Sequence, residues 1–272
     1  IHGLSIEAGI EDYAQWGGKD PDNGKLKYSF KDYLDMVKIK SGGENATLSD
    51  QINKLGNHIG RHFAQINYEC PKFKTTLFYN HIFEDGSGMK YQNWPDGLYG
   101  LYFSRKENSR WFKSFVYEFY YTKNQSGPLH DRPATPEELA KQDTTSDFYG
   151  RIVLGGNDNY LNHGEYRSGW TLFGQTIGTP FFTPQSPVAG IVHGIYNNRF
   201  YAHHIGISGD LPLLNIQYKF FCSYSKNYGT YNTPFYNSEG HITSKSQTSL
   251  RLKVVVPNDK LPFDTTLDFG YD

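Results

Sequence analysis

The residues with most chemical capacity gather in three polar phrases. In Phe83-Glu84-Asp85-Gly86-Ser87-Gly88 two carboxylates precede two glycines. Carboxylate oxygens on a flexible turn suit a cation such as Ca²⁺ or a sugar. The same residues also make a plain turn, with Gly86 and Gly88 taking positive φ. Asn93-Trp94-Pro95-Asp96-Gly97 reads as a second turn, with Trp94 and Asp96 as ligand candidates and the Trp94 ring able to stack on a sugar. The third phrase runs from Gly155 to Trp170 and is rich in Asn, Tyr, His and Gly. There Asn157, Asp158, Asn162 and Arg167 offer hydrogen bonds, while Tyr160 and Trp170 offer stacking faces. Many weak contacts of this kind fit a glycan and need no catalysis.

Reactive chemistry has no comparable support. The chain lacks HExxH, GxSxG and any Gly-rich phosphate loop running from strand to helix. EF-hand spacing is missing, and His163, His193 and His203-His204 show no metal-ligand spacing, so no metal and no cofactor is expected. Asp131 with Glu137 or Glu165 imitates a glycosidase carboxylate pair, but such pairs arise by chance in a long loop. Cys70 and Cys222 read as small apolar residues, and two cysteines alone assign no disulfide. The net charge of −1 gives no bias toward nucleic acid.

The elements that position these phrases alternate in a simple rhythm. Short turns at Cys70-Pro71-Lys72, Lys106-Glu107-Asn108, Leu211-Pro212-Leu213 and Pro257-Asn258-Asp259 alternate with long connections. The long ones run from Gly17 to Asn57, Glu84 to Gly97, Lys123 to Asn198 and Asn227 to Thr248. Between them lie nine stretches with period-two alternation: Gly3 to Trp16, His58 to Cys70, Phe73 to Phe83, Leu98 to Arg105, Trp111 to Thr122, Arg199 to Gly209, Asn215 to Lys226, Ser249 to Val256 and Phe263 to Tyr271. Short helices are expected at Ser29 to Lys40, with Ser29 as cap, at Leu48 to Leu55, and at Thr135 to Gln142. Antiparallel strands with short turns at one end and long loops at the other are the pattern of an outer-membrane β-barrel.

Alternation alone fits two architectures. Phe115, Tyr117, Phe119 and Tyr121 share one face of a strand, and Glu118, Lys219, Arg251, Lys253, Asp264 and Asp268 lie on opposite faces. A sandwich buries the aromatics in a core; a barrel turns them to lipid and the charges to a polar lumen. The sorted loops favour the barrel. Aromatics at 17 % of residues, including 22 Tyr and 19 Phe, suit interfacial girdles. The mean hydropathy of −0.64 and the lack of a ~20-residue apolar run exclude a helical membrane protein. The expected fold is therefore all-β, one antiparallel transmembrane barrel domain over residues 1–272. Nine is an odd number for such a barrel, so further strands beyond the chain are expected. The chain opens on the strand-like Ile1-His2-Gly3-Leu4, so any export signal was cleaved or lies upstream.

Five phrases carry a family resemblance: "SGGENATLSDQINKLGNHIG" (41–60), "HIFEDGSGMKYQNWPDGLYGLYF" (81–103), "QSGPLHDRP" (125–133), "DNYLNHGEYRSGWTLFGQTIGTPFF" (158–182) and "YSKNYGTY" (224–231). Together the chain resembles the capsule-assembly Wzi family of outer-membrane proteins, in the form common in Bacteroidetes. The resemblance implies a large barrel that holds surface polysaccharide at the cell exterior in a lectin-like way. It also implies contact with outer-membrane lipid and lipopolysaccharide. A transport porin and an accessory subunit bound to other outer-membrane proteins are the alternatives.

Overall fold

The computed structural model describes residues 3–20, 24–26, 29–40, 54–106, 111–125, 132–133, 135–141, 152–153, 158–187, 193–257 and 265–271. Nine long strands follow from the alternation: β1 (Leu4–Gln15), β2 (Asn57–Glu69), β3 (Phe73–Phe83), β4 (Gly97–Arg105), β5 (Ser114–Tyr121), β6 (Phe200–Leu211), β7 (Ile216–Asn227), β8 (Lys245–Val256) and β9 (Thr265–Tyr271). They form one antiparallel sheet in sequence order. The chain is therefore all-β with short helices in its long connections. Among the described residues the sheet does not close on itself; β1 and β9 are its two edges.

Register fixes which residues share a face, because directly opposed residues in neighbouring strands point the same way. One row crosses the sheet as Ile6, Ile66, Leu77, Leu101, Tyr117, Ile205, Cys222, Leu250 and Tyr271. The next reads Leu4, Tyr68, Thr75, Phe103, Phe115, Ile207, Phe220, Leu252 and Phe269. The opposite face carries Glu7, Gln65, Glu118, His204 and Ser223, and nearer the short turns Ser114, Ser208, Lys219, Lys253 and Asp268. Ion pairs stud that second face, including Arg61 with Glu11 at 2.8 Å and Arg251 with Asp268 at 2.6 Å.

The apolar face is not a core. Among the described residues no second sheet packs over it, and Ile6, Leu77 and Phe269 stand 69 %, 54 % and 58 % exposed. Among the described residues no sandwich is formed. The core forms instead on the charged face, at its long-loop end. Ile82, Phe200 and Ala202 of the sheet meet Tyr160, Leu161, Trp170, Phe182 and Ile195 of the connection from β5 to β6. Phe200 is fully buried, with the rings of Tyr120, Phe181 and Phe182 5.3, 5.7 and 5.1 Å away.

Several local expectations change. The fifth strand begins at Ser114 rather than Trp111, and the eighth at Lys245, four residues before Ser249. Helix α1 (Phe30–Val37) starts at the Ser29 cap, where Ser29 and Asp32 bond reciprocally. Gly86 and Gly88 do not take positive φ, because they lie in a single helical turn, α2 (Gly86–Met89), capped by Asp85. The expected helix at Leu48 to Leu55 lies mostly outside the described residues, as do Glu107, Asn108, Asn258, Asp259 and Asp264. Helix α3 (Pro136–Lys141) falls within the Thr135 to Gln142 segment.

Phe200→Ala should lower the unfolding free energy by about 3–5 kcal/mol, the cost of emptying a closed aromatic site. Leu77→Ala, on the uncovered face, should cost far less in detergent solution. Urea unfolding monitored by tryptophan fluorescence compares the two.

Candidate functional site

The connection from β5 to β6 holds its shape with few ladder hydrogen bonds. Its described pairings are only two or three residues long, such as Thr171–Leu172 with Gln175–Thr176. Side-chain amides replace the missing ladder. The Asn162 amide bonds the Ile195 carbonyl at 3.0 Å, and its oxygen accepts the Ile195 N–H at 2.6 Å. Asn198 donates to the Asn159 side chain at 2.5 Å and to the Tyr160 carbonyl at 2.9 Å. Gln125 and Thr122 donate to the Asn198 carbonyl at 3.0 and 2.8 Å. Gly169 takes φ +58 beside the Leu161 carbonyl, where a Cβ would sit 2.3 Å from that oxygen.

Beneath this layer lies a closed hydrogen-bond chain. Asn93 donates to the Ile82 carbonyl at 2.9 Å and to the Tyr160 hydroxyl at 2.6 Å. Tyr160 in turn donates to Asp96 at 2.9 Å, and the Asn124 N–H donates to the second Asp96 oxygen at 2.8 Å. Asn93, Asp96 and Tyr160 are all fully buried. Burial pushes the Asp96 carboxyl up to about 7, against the pull of the Asn124 and Tyr160 hydrogen bonds. It also drives the Tyr160 hydroxyl well above its ordinary value.

Over this floor opens a polar cavity of about 830 Å³ at the long-loop end. Asn57 and His58 from β2, Glu84 and Asp85 before α2, and Asp158, Asn162, His163 and Arg167 from the long connection line it, with Thr230 and Asn232 beyond β7. His58 is fixed by Asp12 at 2.8 Å and the Leu55 carbonyl at 2.9 Å. Burial, with the His58 ring adding, pushes the His163 imidazole down to about 4. It stays neutral, and its Nδ1 accepts the Glu165 N–H at 3.2 Å.

Three carboxyls meet on one wall. Glu84 accepts the Leu161 N–H at 2.5 Å. Burial lifts its pKa well above the usual range, the Leu161 bond opposes, and the Asp158 and Asp85 charges add. Asp158 is raised to about 7, first by burial and then by Asp85. Asp85 accepts the N–H groups of Ser87 and Gly88 at 2.8 and 3.2 Å and the Ser87 hydroxyl at 2.7 Å. Glu84 and Asp85 are therefore taken up by the loop's own donors, as in a turn. Among the described residues no three His, Cys, Asp or Glu side chains are grouped to hold a metal ion. A carboxyl that burial favours in its protonated form, as at Glu84, side-chain amides and a neutral imidazole both donate and accept, which matches the hydroxyls of a sugar.

Of the sequence candidates, Glu84, Asp85, Asp158, Asn162 and Arg167 come together on this cavity. Asp96, Tyr160 and Trp170 do not, because burial closes them from solvent and gives them to the floor and the core. Trp94 is 56 % exposed but lies elsewhere, edge-on to Tyr79 and Tyr99 of the apolar face at 5.9 and 6.3 Å. Asn157 lies outside the described residues. Sequence reasoning did not pick out Asn57, His58, Thr230 or Asn232; their position beside the long connections was the available signal. Comparison with family models, curated proteins and solved structures returns no match.

Tyr160→Phe should destabilise the protein by about 1–3 kcal/mol by stripping a donor from buried Asp96 and an acceptor from Asn93. Thermal unfolding would read it, and a neutral result would dismiss the network as a support. The pH dependence has a fixed sign. The Asp96 and Asp158 pKa values rise to about 7 on folding. Their stabilising contribution is therefore complete below about pH 4, the unfolded aspartate range, and is lost as pH climbs through 7. The melting temperature of the wild type should fall between pH 4 and pH 8, and Asp158→Asn should flatten part of that slope.

Proposed function

We propose that this chain is a wall segment of an outer-membrane β-barrel that binds surface polysaccharide at its long-loop end without catalysis. The observation that carries the reading is the apolar face, continuous in register across nine strands and uncovered among the described residues. Exposed apolar surface on that scale is costly in water and is at home in lipid. On this reading the charged face belongs to the lumen, and the sorting of short turns from long loops supports an exterior position for the cavity. The resemblance to the Wzi family supplies polysaccharide as the ligand. The amide-, hydroxyl- and imidazole-lined cavity offers the contacts such a ligand needs. Asp158 and Arg167 lie on its walls, and Asn162 holds the backbone that forms it.

The same geometry weighs against an open transport pore. The long connection packs its core against the charged face, where a wide channel would need free space. The accessory-subunit reading gains no specific contact.

Titration of the detergent-solubilised protein with purified capsular polysaccharide should show saturable binding, weakened several-fold by Arg167→Ala with the fold intact. Planar-bilayer conductance should be low. Absence of binding, together with normal capsule retention in a deletion strain, sinks the polysaccharide reading.

A further inference from the structure

The outer edge of the apolar face ends in a set of cations. Lys226 lies directly opposite Tyr201 across β6 and β7, and Tyr201 lies opposite Tyr121 of β5. Lys123 and Arg199 flank the same row, two residues beyond Tyr121 and two before Tyr201. Register puts Lys226 on the apolar side at the long-loop rim. Lys123 and Arg199 lie just beyond the ends of β5 and β6, and Lys123 meets the same rim through Tyr228, whose ring is 6.4 Å from that of Tyr201. The Lys123 ammonium lies 4.1 Å from the centre of the Tyr228 ring, and the Arg199 guanidinium 3.6 Å from that of Tyr231. The Tyr228 N–H bonds the Arg199 carbonyl at 2.9 Å, and the Tyr231 hydroxyl donates to the Lys123 carbonyl at 2.8 Å. The aromatic rings thus hold Lys123 and Arg199 in place.

The three cations repel one another. Burial lowers the Lys123 pKa, and the charges of Arg199 and Lys226 lower it further. Among the described residues no acid lies within ion-pair distance of any of the three, whereas Arg61 and Arg251 on the opposite face pair with Glu11 and Asp268. Asp96 acts on Arg199 only at longer range. The Arg199 Nε is buried without a hydrogen-bond partner. The clustered positive charge of this trio suits an external anion.

Position identifies the anion. From Ile216 to Lys226 the strand rises roughly ten residues, about 34 Å along its length. At a barrel tilt of ~40° that is about 25 Å of height, the span of an apolar band. The trio therefore sits where the band ends, beside Tyr121, Tyr201 and Tyr228 in the place of an interfacial aromatic belt. Anionic headgroups lie at that depth.

We propose that Lys123, Arg199 and Lys226 form a seat for the phosphates of an outer-leaflet lipid with a phosphorylated sugar headgroup. The seat rests on the barrel reading above, since it needs the apolar face in a bilayer. Two or more phosphates fit it better than one, because three cations spread along the rim outnumber a single phosphate's charge. Cation–π contacts keep the side chains ordered before the lipid arrives.

The test uses the whole chain reconstituted into vesicles and then examined by native mass spectrometry in detergent. The probes are bis-phosphorylated lipid A, fully dephosphorylated lipid A and inorganic phosphate. The wild type should retain bis-phosphorylated lipid A and discriminate against the dephosphorylated form. Lys226→Gln should weaken binding roughly fivefold, and Lys123→Gln/Arg199→Gln/Lys226→Gln about a hundredfold, the scale of one to three cations beside anionic headgroups. Lys219→Gln/Lys253→Gln, on the opposite face, should bind as the wild type does. Equal retention of both lipid A forms, undiminished binding by inserted Lys226→Gln, or equal affinity for inorganic phosphate overturns the seat and leaves the barrel standing. Failure of the wild type to insert into vesicles overturns both.

Discussion

The register of the sheet is the constraint on which everything else depends. Each strand sends alternate side chains to opposite faces, and nine strands keep those faces in phase. One slip of a single residue would put Glu118 among Tyr117 and Leu101 and break the apolar row. Because that row is left uncovered, the core has only the other face to form on. The cavity is a product of the same restriction, since the long connections fold over the charged side where Ile82, Phe200 and Ala202 give them something to pack against.

The polar floor solves a problem that this arrangement creates. A segment folded over a charged face cannot rely on ladder hydrogen bonds, so its backbone groups must find partners among side chains. Asn162, Asn198, Gln125 and Asn93 supply them. The long connection's wealth of asparagine serves structure first and recognition second. Composition suggests both uses equally, and only burial separates them: Asn162 faces the cavity, whereas Asn93 is sealed beneath it.

Much of the sheet was legible because its signal is local. A period of two in Tyr117, Phe119 and Tyr121 states the strand and its faces without knowledge of any partner. The Ser29 cap was legible for the same reason, since its partner Asp32 is three residues away. The site was less so. Tyr160 and Asp96 are separated by 64 residues and meet through one hydrogen bond that no spacing announces. Trp170 and Trp94 look alike as stacking residues in sequence, yet one fills the core and the other stands on the outer rim. Two glycines after Asp85 read as a left-handed turn, but the carboxylate cap makes a helical turn instead.

Every strand pairs with its sequence neighbour, and β5 and β6 are the pair held apart by the longest stretch of chain, residues 122–199. The sheet is thus two meanders, β1–β5 and β6–β9, joined at one seam. Closing a long loop costs entropy that grows only slowly with its length, yet it slows the search for the seam. The core joins Ile82 of the first meander, Tyr160 of the insert and Phe200 of the second. The insert is therefore a clasp: its packed side chains tie the first meander to the second across one face, while the ladder between β5 and β6 joins them along the sheet.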